Sequence, residues 1–417
     1  MDRGAGRLTG DAGRGNGALL SVLAFRIFYL VLMLFLTGCA AQIERIPPVA
    51  VPSLVLVPDS AVPSFVDDLN DTLLETAVES SLQYYGKLPA GSSFRIGDNL
   101  YTLEEMKESL RAFLQIIRSP APPDVRDEKI RAAFDIYKST GNDGKGTVLF
   151  TGYFEPVMAG SLERTERYKY PLYRVPEETV VVNLGRFREK YKYERLVGRV
   201  KNGELIPHYS RAEIEGDRIL EGRNLEIVWV DDPVDLFFLH IQGSGKIRLP
   251  DGAILQVSYA QSNGRPYRSV AHYLLNSGKV SEKEMSHQSI KKYLKEHPVE
   301  SADALNYNES YVFFRVTDGP IGSLGFPVIS GRSIATDPAV FPRGALAFIS
   351  ARKPVFDEAG TIITWGAFSR FVLSQDAGGA IKGPGRIDLF CGTGDTAELL
   401  AGSLKEKGEL YFLVGKR

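Results

Sequence analysis

The stretch Gln375-Asp-Ala-Gly-Gly-Ala-Ile-Lys-Gly383, followed closely by Arg386-Ile-Asp-Leu-Phe390, joins a glycine-rich loop to a short segment of alternating polarity. Successive side chains of a β-strand point to opposite faces of the sheet. The alternation therefore predicts Ile387 and Leu389 on one face and Asp388 on the other. If the apolar face belongs to the core, Asp388 projects into the opposite space, where partial burial raises the pKa of a carboxyl group.

Further strands are predicted on the N-terminal side of this segment. The pattern of β-branched and aromatic residues between turn residues indicates them. In the C-terminal part they are Tyr311–Val316, Ala345–Ile349 and Phe371–Ser374. Between about residues 147 and 259 the sequence predicts short strands separated by turns. The predicted strands include Thr147–Phe154, Leu225–Val230 and Leu236–Ile241.

Helices are predicted in two regions. The first region holds Val66–Tyr85, then a helix opened by the capping box Thr102-Leu-Glu-Glu105, then Val125–Ser139. The second helix has apolar residues at helical spacing, and its predicted buried stripe is Met106, Leu110, Phe113, Leu114 and Ile117. The second region holds Tyr267–Asn276 and a helix after a second capping box, Ser281-Glu-Lys-Glu284. This order predicts a helix-plus-barrel domain that is interrupted by a mostly β insertion.

The overall composition restricts the function classes. The 417 residues suffice for two domains, and 50 basic against 51 acidic residues give a net charge of −1. This balance gives no global attraction to nucleic acid, although a local basic surface stays open. The two cysteines, Cys39 and Cys391, lie too far apart in sequence for a disulfide scaffold or a zinc site, and the five histidines form no metal-binding pair. We expect neither a metal nor a cofactor.

The N-terminus has the pattern of an export signal. Arg3, Arg7 and Arg14 precede an apolar stretch whose uninterrupted part, Ile27–Leu36, is shorter than the roughly 20 residues that cross a bilayer. Leu36-Thr-Gly-Cys39 resembles the bacterial lipobox, which implies that Cys39 is acylated and becomes the new N-terminus. Ala40 follows it in place of Asp, which implies an outer-membrane lipoprotein that faces the periplasm. The alternative is a plain signal-anchor helix that ends at a cysteine.

Residues 40–64 contain five prolines and are predicted to form an extended tether between the membrane and the folded body.

Several motifs, taken together, carry a family resemblance. In chain order they are Gly152–Pro156, Tyr170–Tyr173, His240–Gly245, Tyr259, Asn263–Arg268, Thr336–Pro338, Phe341–Pro342, Gln375–Gly383 and Arg386–Phe390. This set resembles the membrane-bound lytic murein transglycosylase A family over most of the chain after about residue 65. The C-terminal part is similar to the three-aspartate domain of that family, with Asp337, Asp376 and Asp388 at the three positions.

The resemblance implies a mainly β fold with helices. A double-psi β-barrel domain with a helical N-terminal part would be interrupted by a second, smaller β domain, with a groove between the two. The implied segments are a lipoprotein signal at residues 1–39, the tether at 40–64, a catalytic domain at 65–157 and 263–417, and the inserted β domain at 158–262.

The resemblance also implies a function, that of a peptidoglycan lytic exotransglycosylase. Such an enzyme cleaves the β-1,4 bond between N-acetylmuramic acid (MurNAc) and N-acetylglucosamine (GlcNAc) and leaves 1,6-anhydro-MurNAc ends. One aspartate serves as general acid and then as base, and the family's catalytic position falls on Asp388. The partners would be glycan strands and, through Cys39, a membrane; other cell-wall enzymes stay open as partners, and nucleic acid is not expected.

Asp376 is the second catalytic candidate, because a neighbouring negative charge would help Asp388 to keep its proton. A turn-capping role is its alternative, and a turn-forming role is favoured for Asp337, which precedes a proline. The substrate-binding candidates are Tyr153, Glu155, Gln242, Gly243, Ser244 and Lys382. Their alternatives are a core position for Tyr153 or Phe154, a β-turn at Gln242–Gly245 and an exposed loop position for Lys382. Cys391 is read as a small buried residue.

Two rival functions stay open. The first is a conventional hydrolase that uses Asp376 and Asp388 as a carboxylate pair. The second is a non-catalytic lipoprotein that binds the cell wall.

Overall fold

The computed structural model describes residues 52–69, 71–192, 194–281 and 286–417. The predicted export signal, Cys39 and the tether up to residue 51 lie outside these ranges, as do residues 282–284 of the second predicted capping box. No helix within the described ranges combines the length and the apolar character that a membrane crossing requires.

The described ranges contain eight α-helices. They are α1 Asp71–Gly86, α2 Leu103–Arg118, α3 Pro123–Ala133, α4 Pro233–Gln242, α5 Val270–Asn276, α6 His287–Glu296, α7 Pro298–Tyr307 and α8 Asp395–Ser403.

The same ranges contain nineteen β-strands. They are β1 Leu54–Leu56, β2 Ser93–Ile96, β3 Asn99–Thr102, β4 Phe134–Ser139, β5 Val148–Glu155, β6 Val157–Ser161, β7 Tyr170–Tyr173, β8 Thr179–Asn183, β9 Arg195–Lys201, β10 Glu204–Pro207, β11 Glu226–Val230, β12 Ser244–Arg248, β13 Ile254–Ser262, β14 Val312–Val316, β15 Ser333–Ala335, β16 Leu346–Phe356, β17 Ile362–Asp376, β18 Arg386–Thr393 and β19 Lys405–Gly415.

The largest sheet closes into a barrel. Its strand order is β1-β4-β19-β16-β17-β15-β18-β5, and a further pairing of β19 with β5 joins six of these strands into a ring. Closure leaves the ring without a free edge. The predicted barrel with accompanying helices is therefore confirmed, while the double-psi crossing of its strands stays a prediction.

The interior of the barrel is apolar because each strand sends every second side chain inward. Phe150 of β5, Ile334 of β15 and Ile387 of β18 are fully buried in one cluster, and helices α1 and α2 cover it from outside. The capping box at the start of α2 is present, since Thr102 and Glu105 each accept a hydrogen bond from the backbone of the other. All five residues of the predicted stripe of α2 are buried.

A second sheet has the order β14-β13-β12-β6-β11-β7. Its apolar side forms a separate core that includes Leu172, Val228 and Ile247. The insertion was expected to end at residue 262, but β13 pairs with β14 at Val312–Val316. This pairing carries the second sheet beyond the expected boundary, with the helices α5, α6 and α7 between the two strands.

The first predicted helix starts later than expected. Residues 66–69 precede α1 without helical structure, because the carboxylates of Asp67 and Asp68 are held by other parts of the barrel. Asp67 pairs with the buried Arg332 at 2.6 Å, and Asp68 accepts two hydrogen bonds from Arg370 at 2.7 and 2.8 Å. These long-range bonds fix the chain in an extended form before α1.

Two further element predictions were wrong. The helix expected at residues 125–139 ends at Ala133, and Phe134–Ser139 is strand β4, because it pairs with β19 and buries Phe134 and Ile136 in the barrel core. The strand expected at residues 236–241 is helix α4. Asp232 caps this helix by accepting hydrogen bonds from the backbone N–H groups of Val234 and Asp235, and Pro233 occupies its first position.

The tether prediction was wrong for its described part. Leu54–Leu56 pairs with β4 as the edge strand of the large sheet, and Leu54 is buried. The folded body therefore begins before residue 65, because this segment is hydrogen-bonded to the sheet and Leu54 is buried.

Candidate active site

Asp388 lies in the middle of β18, between two neighbouring strands. It is paired with Thr151 of the parallel strand β5 and with Ala335 of the antiparallel strand β15. Ile387 and Leu389 are buried in the barrel core, whereas Asp388 is partly exposed. The predicted alternation is confirmed, and the Asp388 side chain leaves the barrel on its outer face.

The carboxyl group of Asp388 has one close polar partner on the next strand. The hydroxyl of Thr151 donates a hydrogen bond to Oδ1 of Asp388. Burial raises the pKa of Asp388, and the hydrogen bond from Thr151 and the charge of Arg386 offset only part of this effect. The group is therefore suited to hold a proton at a higher pH than an ordinary aspartate.

Asp376 ends β17 on the other side of β15. Ala335 is paired with Asp376 in one direction and with Asp388 in the other. The Cα atoms of the two aspartates are thus two strand spacings apart, about 10 Å. The motifs that carry these aspartates, separated by a loop in the sequence, meet on one part of the barrel wall.

Three donors hold the carboxyl group of Asp376. The backbone N–H groups of Ser323 and Ala377 donate to Oδ1 at 2.9 and 2.8 Å, and the hydroxyl of Tyr153 donates to Oδ2 at 2.9 Å. Burial raises the pKa of Asp376 despite these donors. The orientation of the carboxyl group is fixed by three bonds to three different segments.

Tyr153 is hydrogen-bonded to Asp376 and lies on the same strand as Thr151, the partner of Asp388. Its ring packs against Phe390 with 5.1 Å between centroids, and the two belong to a small apolar cluster with Ala335. Burial raises the pKa of the Tyr153 phenol well above its ordinary value, and the negative charges of Asp376 and Asp388 add to this. The hydroxyl therefore keeps its proton and acts as a donor.

Asp337 has the structural role that its sequence position indicated. One carboxylate oxygen accepts from the backbone of Ala339 at 3.1 Å, which shapes the turn, and the other accepts from the backbone of Gly383 at 2.8 Å. The second bond secures the loop between Asp376 and Asp388. Lys382 is exposed on this loop.

A cleft of about 430 Å³ opens beside the C-terminal end of β18. It is lined by Phe390, Cys391, Gly392 and Thr393, by the loop at residues 328–330, by α8 and by Glu155 and Lys246. Asp388 is not among the lining residues, although its own strand forms one wall. A larger cleft of about 520 Å³ lies between β1 and β4, away from both aspartates.

Glu155 is a fully buried carboxylate at this cleft. It accepts hydrogen bonds from the amide of Gln256 and, at 2.8 Å, from the hydroxyl of Thr393, and the ammonium of Lys246 lies 3.6 Å away. These partners come from β13, β18 and β12. Glu155 therefore ties the second sheet to the barrel strand that carries Asp388.

Gln242, Gly243 and Ser244 form a helix-to-strand connection, where the sequence had left a β-turn between strands as the alternative to binding. Gln242 ends α4, and its side-chain oxygen accepts from the backbone of Phe154 at 2.9 Å. Gly243 caps the helix in the left-handed conformation with φ of 81°, and Ser244 begins β12 as a buried residue. Their roles in binding stay predictions.

Tyr153 and Phe154 are both buried in apolar clusters, Tyr153 with Phe390 and Phe154 with Ala397 and Ala401 of α8. Cys391 is half-buried beside them. Burial, with the nearby charge of Asp388, raises the pKa of the Cys391 thiol to about 12, so the thiol stays protonated.

Thr151, Gln256 and Lys246 are site residues that were not predicted from the sequence. Thr151 lies two residues before Tyr153, and the period of a strand could have placed both on the face of Asp388. No comparable signal pointed to Gln256 or Lys246, because their roles depend on strand pairings within the second sheet. Within the described ranges, no three His, Cys, Asp or Glu side chains are grouped as metal ligands would be.

Comparison with known proteins connects this geometry to a family. Residues 149–315 match the MltA specific insert domain, and residues 332–414 match the 3D domain. The membrane-bound lytic murein transglycosylase A of Escherichia coli K12 is 31% identical over 284 residues, which are 67% of this chain and 69% of that protein.

Solved structures agree with the fold. The membrane-bound lytic murein transglycosylase of Agrobacterium tumefaciens superposes with a TM-score of 0.72 at 28% identity, over 87% of this chain and 98% of the other. Escherichia coli MltA with bound chitohexaose has a TM-score of 0.64 at 24% identity, over 88% and 96% of the two chains. The chain belongs to the membrane-bound lytic murein transglycosylase A family.

Proposed function

We propose that this protein cleaves the β-1,4 bond between MurNAc and GlcNAc in peptidoglycan and leaves a 1,6-anhydro ring on the muramic sugar. The observation that carries the proposal is the position of Asp388. Its side chain leaves the barrel wall opposite to Ile387 and Leu389, while burial raises its pKa. A carboxyl group that donates a proton near neutral pH needs such a raised pKa.

Asp388 acts twice in one turnover. Its proton passes to the oxygen that joins the two sugars, and the bond between this oxygen and C1 of the muramic sugar breaks. The carboxylate left on Asp388 then takes the proton of the 6-hydroxyl of the same sugar, and the oxygen of this hydroxyl bonds to C1. The nucleophile is tethered, so its effective concentration is high and no water is consumed. One carboxyl group therefore suffices.

Asp376 supports this reaction as a fixed polar group near the cation-like sugar. Its two oxygens already accept from Ser323, Ala377 and Tyr153, which favours a stationary role. A base that activates water would need a lone pair directed at that water. The three donors occupy three of the about four acceptor sites of the carboxylate, and this favours the transglycosylase over the hydrolase with a carboxylate pair.

The glycan strand is the proposed ligand of the barrel face that carries both aspartates. A solved family structure that carries chitohexaose supports a glycan as the ligand. Lys382 is exposed on the loop that joins the two aspartates, so its ammonium is available to polar groups of the strand. Tyr153 and Glu155 are buried, and their contribution is to hold Asp376 and the wall of the cleft in place. Gln242, Gly243 and Ser244 are proposed to contact the glycan strand from the second sheet, and the bond from the backbone of Phe154 to Gln242 holds them beside β5.

The protein is proposed to be an outer-membrane lipoprotein, acylated at Cys39 and facing the periplasm. The lipobox sequence supports this, and relatives are named membrane-bound. Mass spectrometry of the N-terminal peptide tests the acylation. The expected peptide begins with a lipid-modified Cys39, and a Cys39→Ala chain should stay unmodified.

Product analysis tests the reaction. Isolated cell-wall sacculi are digested with the wild type and with Asp388→Asn, and the muropeptides are separated and weighed. Anhydro products, each lighter by one water than the hydrolysis product, are expected from the wild type and not from the variant. Reducing ends from the wild type would establish the hydrolase, and a wild type without any product would support the wall-binding lipoprotein.

A further inference from the structure

The small sheet of β8, β9 and β10 has two unlike faces. One face rests in part on the rest of the protein: Arg199 stacks on the ring of Tyr209 at 4.0 Å, and Val197 lies against Gly264, where an added Cβ would approach it to 2.7 Å. Val181, which is paired with Val197 on this face, is 42% exposed. Side chains at the even positions of β9 point to the other side. We call that side the outer face.

The outer face is aliphatic and accessible to solvent. Leu196 is paired with Val182 of β8, and Val200 is paired with Leu205 of β10, so these four side chains share one surface. Leu196 is 50%, Val200 49% and Leu205 40% exposed. Contiguous exposed apolar groups on a folded protein mark an interaction surface more often than chance.

A basic connection joins β8 to β9 at one end of this face. Residues 184–192 contain four Lys or Arg and one Glu, a net charge of +3, and Glu194 follows them, in a chain whose total is −1. Arg186, Arg188 and Lys190 are exposed, and between the two arginines Phe187 is 74% exposed. Glu189 pairs with Lys192 at 3.2 Å, so one of the two carboxylates is already bound to a lysine.

We propose that the outer face and the basic connection at residues 184–192 form a second membrane contact, which binds an anionic phospholipid surface. The cations match the charge of the headgroups, and Phe187 with the aliphatic face reaches the boundary of the acyl chains. A single lipid attachment combined with a basic patch binds a bilayer more firmly than either alone. The inference rests on the proposed membrane anchoring through Cys39, and it is independent of the cleavage chemistry.

Other occupants fit this surface less well. A glycan strand is hydrated along its length, so it would leave Leu196, Val200 and Leu205 uncovered. A second copy of this chain would bring two basic connections of net charge +3 together, and like charges repel. The combination of an aliphatic face with a cationic border fits an anionic bilayer.

Hydrogen exchange on the lipidated full-length protein tests the contact. The protein is inserted through its lipid into vesicles of phosphatidylethanolamine with phosphatidylglycerol, or of phosphatidylcholine alone. Because the anchor inserts into both, only a second contact can distinguish them. We expect amide exchange across residues 179–207 to slow several-fold on the anionic vesicles, and 1 M salt to remove most of this protection. Amide exchange in β11, which lies outside the proposed contact, should be the same on the anionic and the phosphatidylcholine vesicles.

Two variants address the surface directly. Arg186→Glu with Arg188→Glu, and separately Phe187→Ser, should lose the added protection while digesting sacculi in detergent at the wild-type rate. Lys129→Glu with Lys407→Glu removes the same charge from exposed positions elsewhere and should keep the protection. Equal protection on both kinds of vesicle, unchanged protection in both surface variants, or protection that appears with sacculi but not with vesicles would overturn the proposal.

Discussion

The hydroxyl of Tyr153 donates a hydrogen bond to Oδ2 of Asp376 at 2.9 Å. This bond links β5, which also supplies Thr151 to Asp388, with the end of β17. Burial and the two nearby aspartates keep the phenol protonated by raising its pKa. Strand β5 thus holds both carboxyl groups, Asp376 through Tyr153 and Asp388 through Thr151, although Tyr153 transfers no proton in the proposed reaction.

Tyr153→Phe should lower kcat about tenfold with little change in KM, since it deletes one hydrogen bond to a charged group and keeps the ring. The loss of a donor raises the pKa of Asp376 further. The part of the pH–activity profile that follows the titration of Asp376 should therefore move to higher pH. Initial rates of sacculus digestion between about pH 4 and 8 measure both effects.

Tyr411→Phe is the matched control for this change, because Tyr411 also donates to a carboxylate, Glu409, at 2.8 Å on a barrel strand. It should leave kcat and the pH profile unchanged. If both variants lose activity equally, the effect of Tyr153 is one of general stability and its positioning role is wrong.

Thr151→Val removes the hydroxyl that contacts Oδ1 of Asp388 while keeping a β-branched side chain on the strand. Since this donor lowers the pKa of Asp388, its removal should raise that pKa, and the decline of activity with rising pH should move upward. We expect kcat to fall about tenfold at neutral pH because Asp388 loses its orientation. Thr364→Val, at an exposed position of β17, is the control. An unshifted profile in Thr151→Val would show that Thr151 does not act on the titrating group.

Glu155→Gln should destabilise the protein by about 2 kcal/mol, because a buried carboxylate with several donors is replaced by an amide that presents its own N–H groups to Gln256. Urea unfolding at neutral pH measures this. Activity at a temperature where the variant is folded should fall as well, since Glu155 ties Thr393 and Lys246 at the cleft. Glu128→Gln, an exposed change, should have no effect on either quantity.

Local sequence patterns predicted those helices and strands in which one spacing, that of a helix or of a strand, separates the buried side chains from the exposed ones. The outward direction of Asp388 followed from its alternation with Ile387 and Leu389, and the buried stripe of α2 followed from helical spacing. In both cases the core lies on one side of the element. Sequence neighbours alone then decide which side chains are buried.

Local patterns could not predict which strands pair when the strands are distant in the sequence. Phe134–Ser139 continues a helical pattern but is a strand, because β19 pairs with it and buries Phe134 in the barrel. The contact of Thr151 with Asp388 likewise depends on the register of β5 against β18. The interpretation of Leu236–Ile241 failed for a local reason, since the cap at Asp232 and the following proline start a helix there.

Glu398 of α8 provides a prediction about pH and stability. The close approach of His287, whose Nε2 lies 3.4 Å from Oε1, and then the hydrogen bond from Lys291, both on α6, lower the pKa of Glu398 from 4.5 to about 2, although burial opposes them. A depressed carboxyl pKa stabilises the folded state fully above pH 4.5, and this contribution is lost as the pH falls toward 2. Because Glu398 is partly exposed, solvent screening reduces the benefit to about 1 kcal/mol. Urea unfolding should therefore show Glu398→Gln less stable than the wild type at pH 7, with this difference in unfolding free energy reduced to about half at pH 3, whereas the exposed change Glu296→Gln makes no difference at either pH. If the difference in unfolding free energy were the same at pH 7 and pH 3, the destabilisation would arise from packing between α6 and α8, and the charge of Glu398 would contribute nothing.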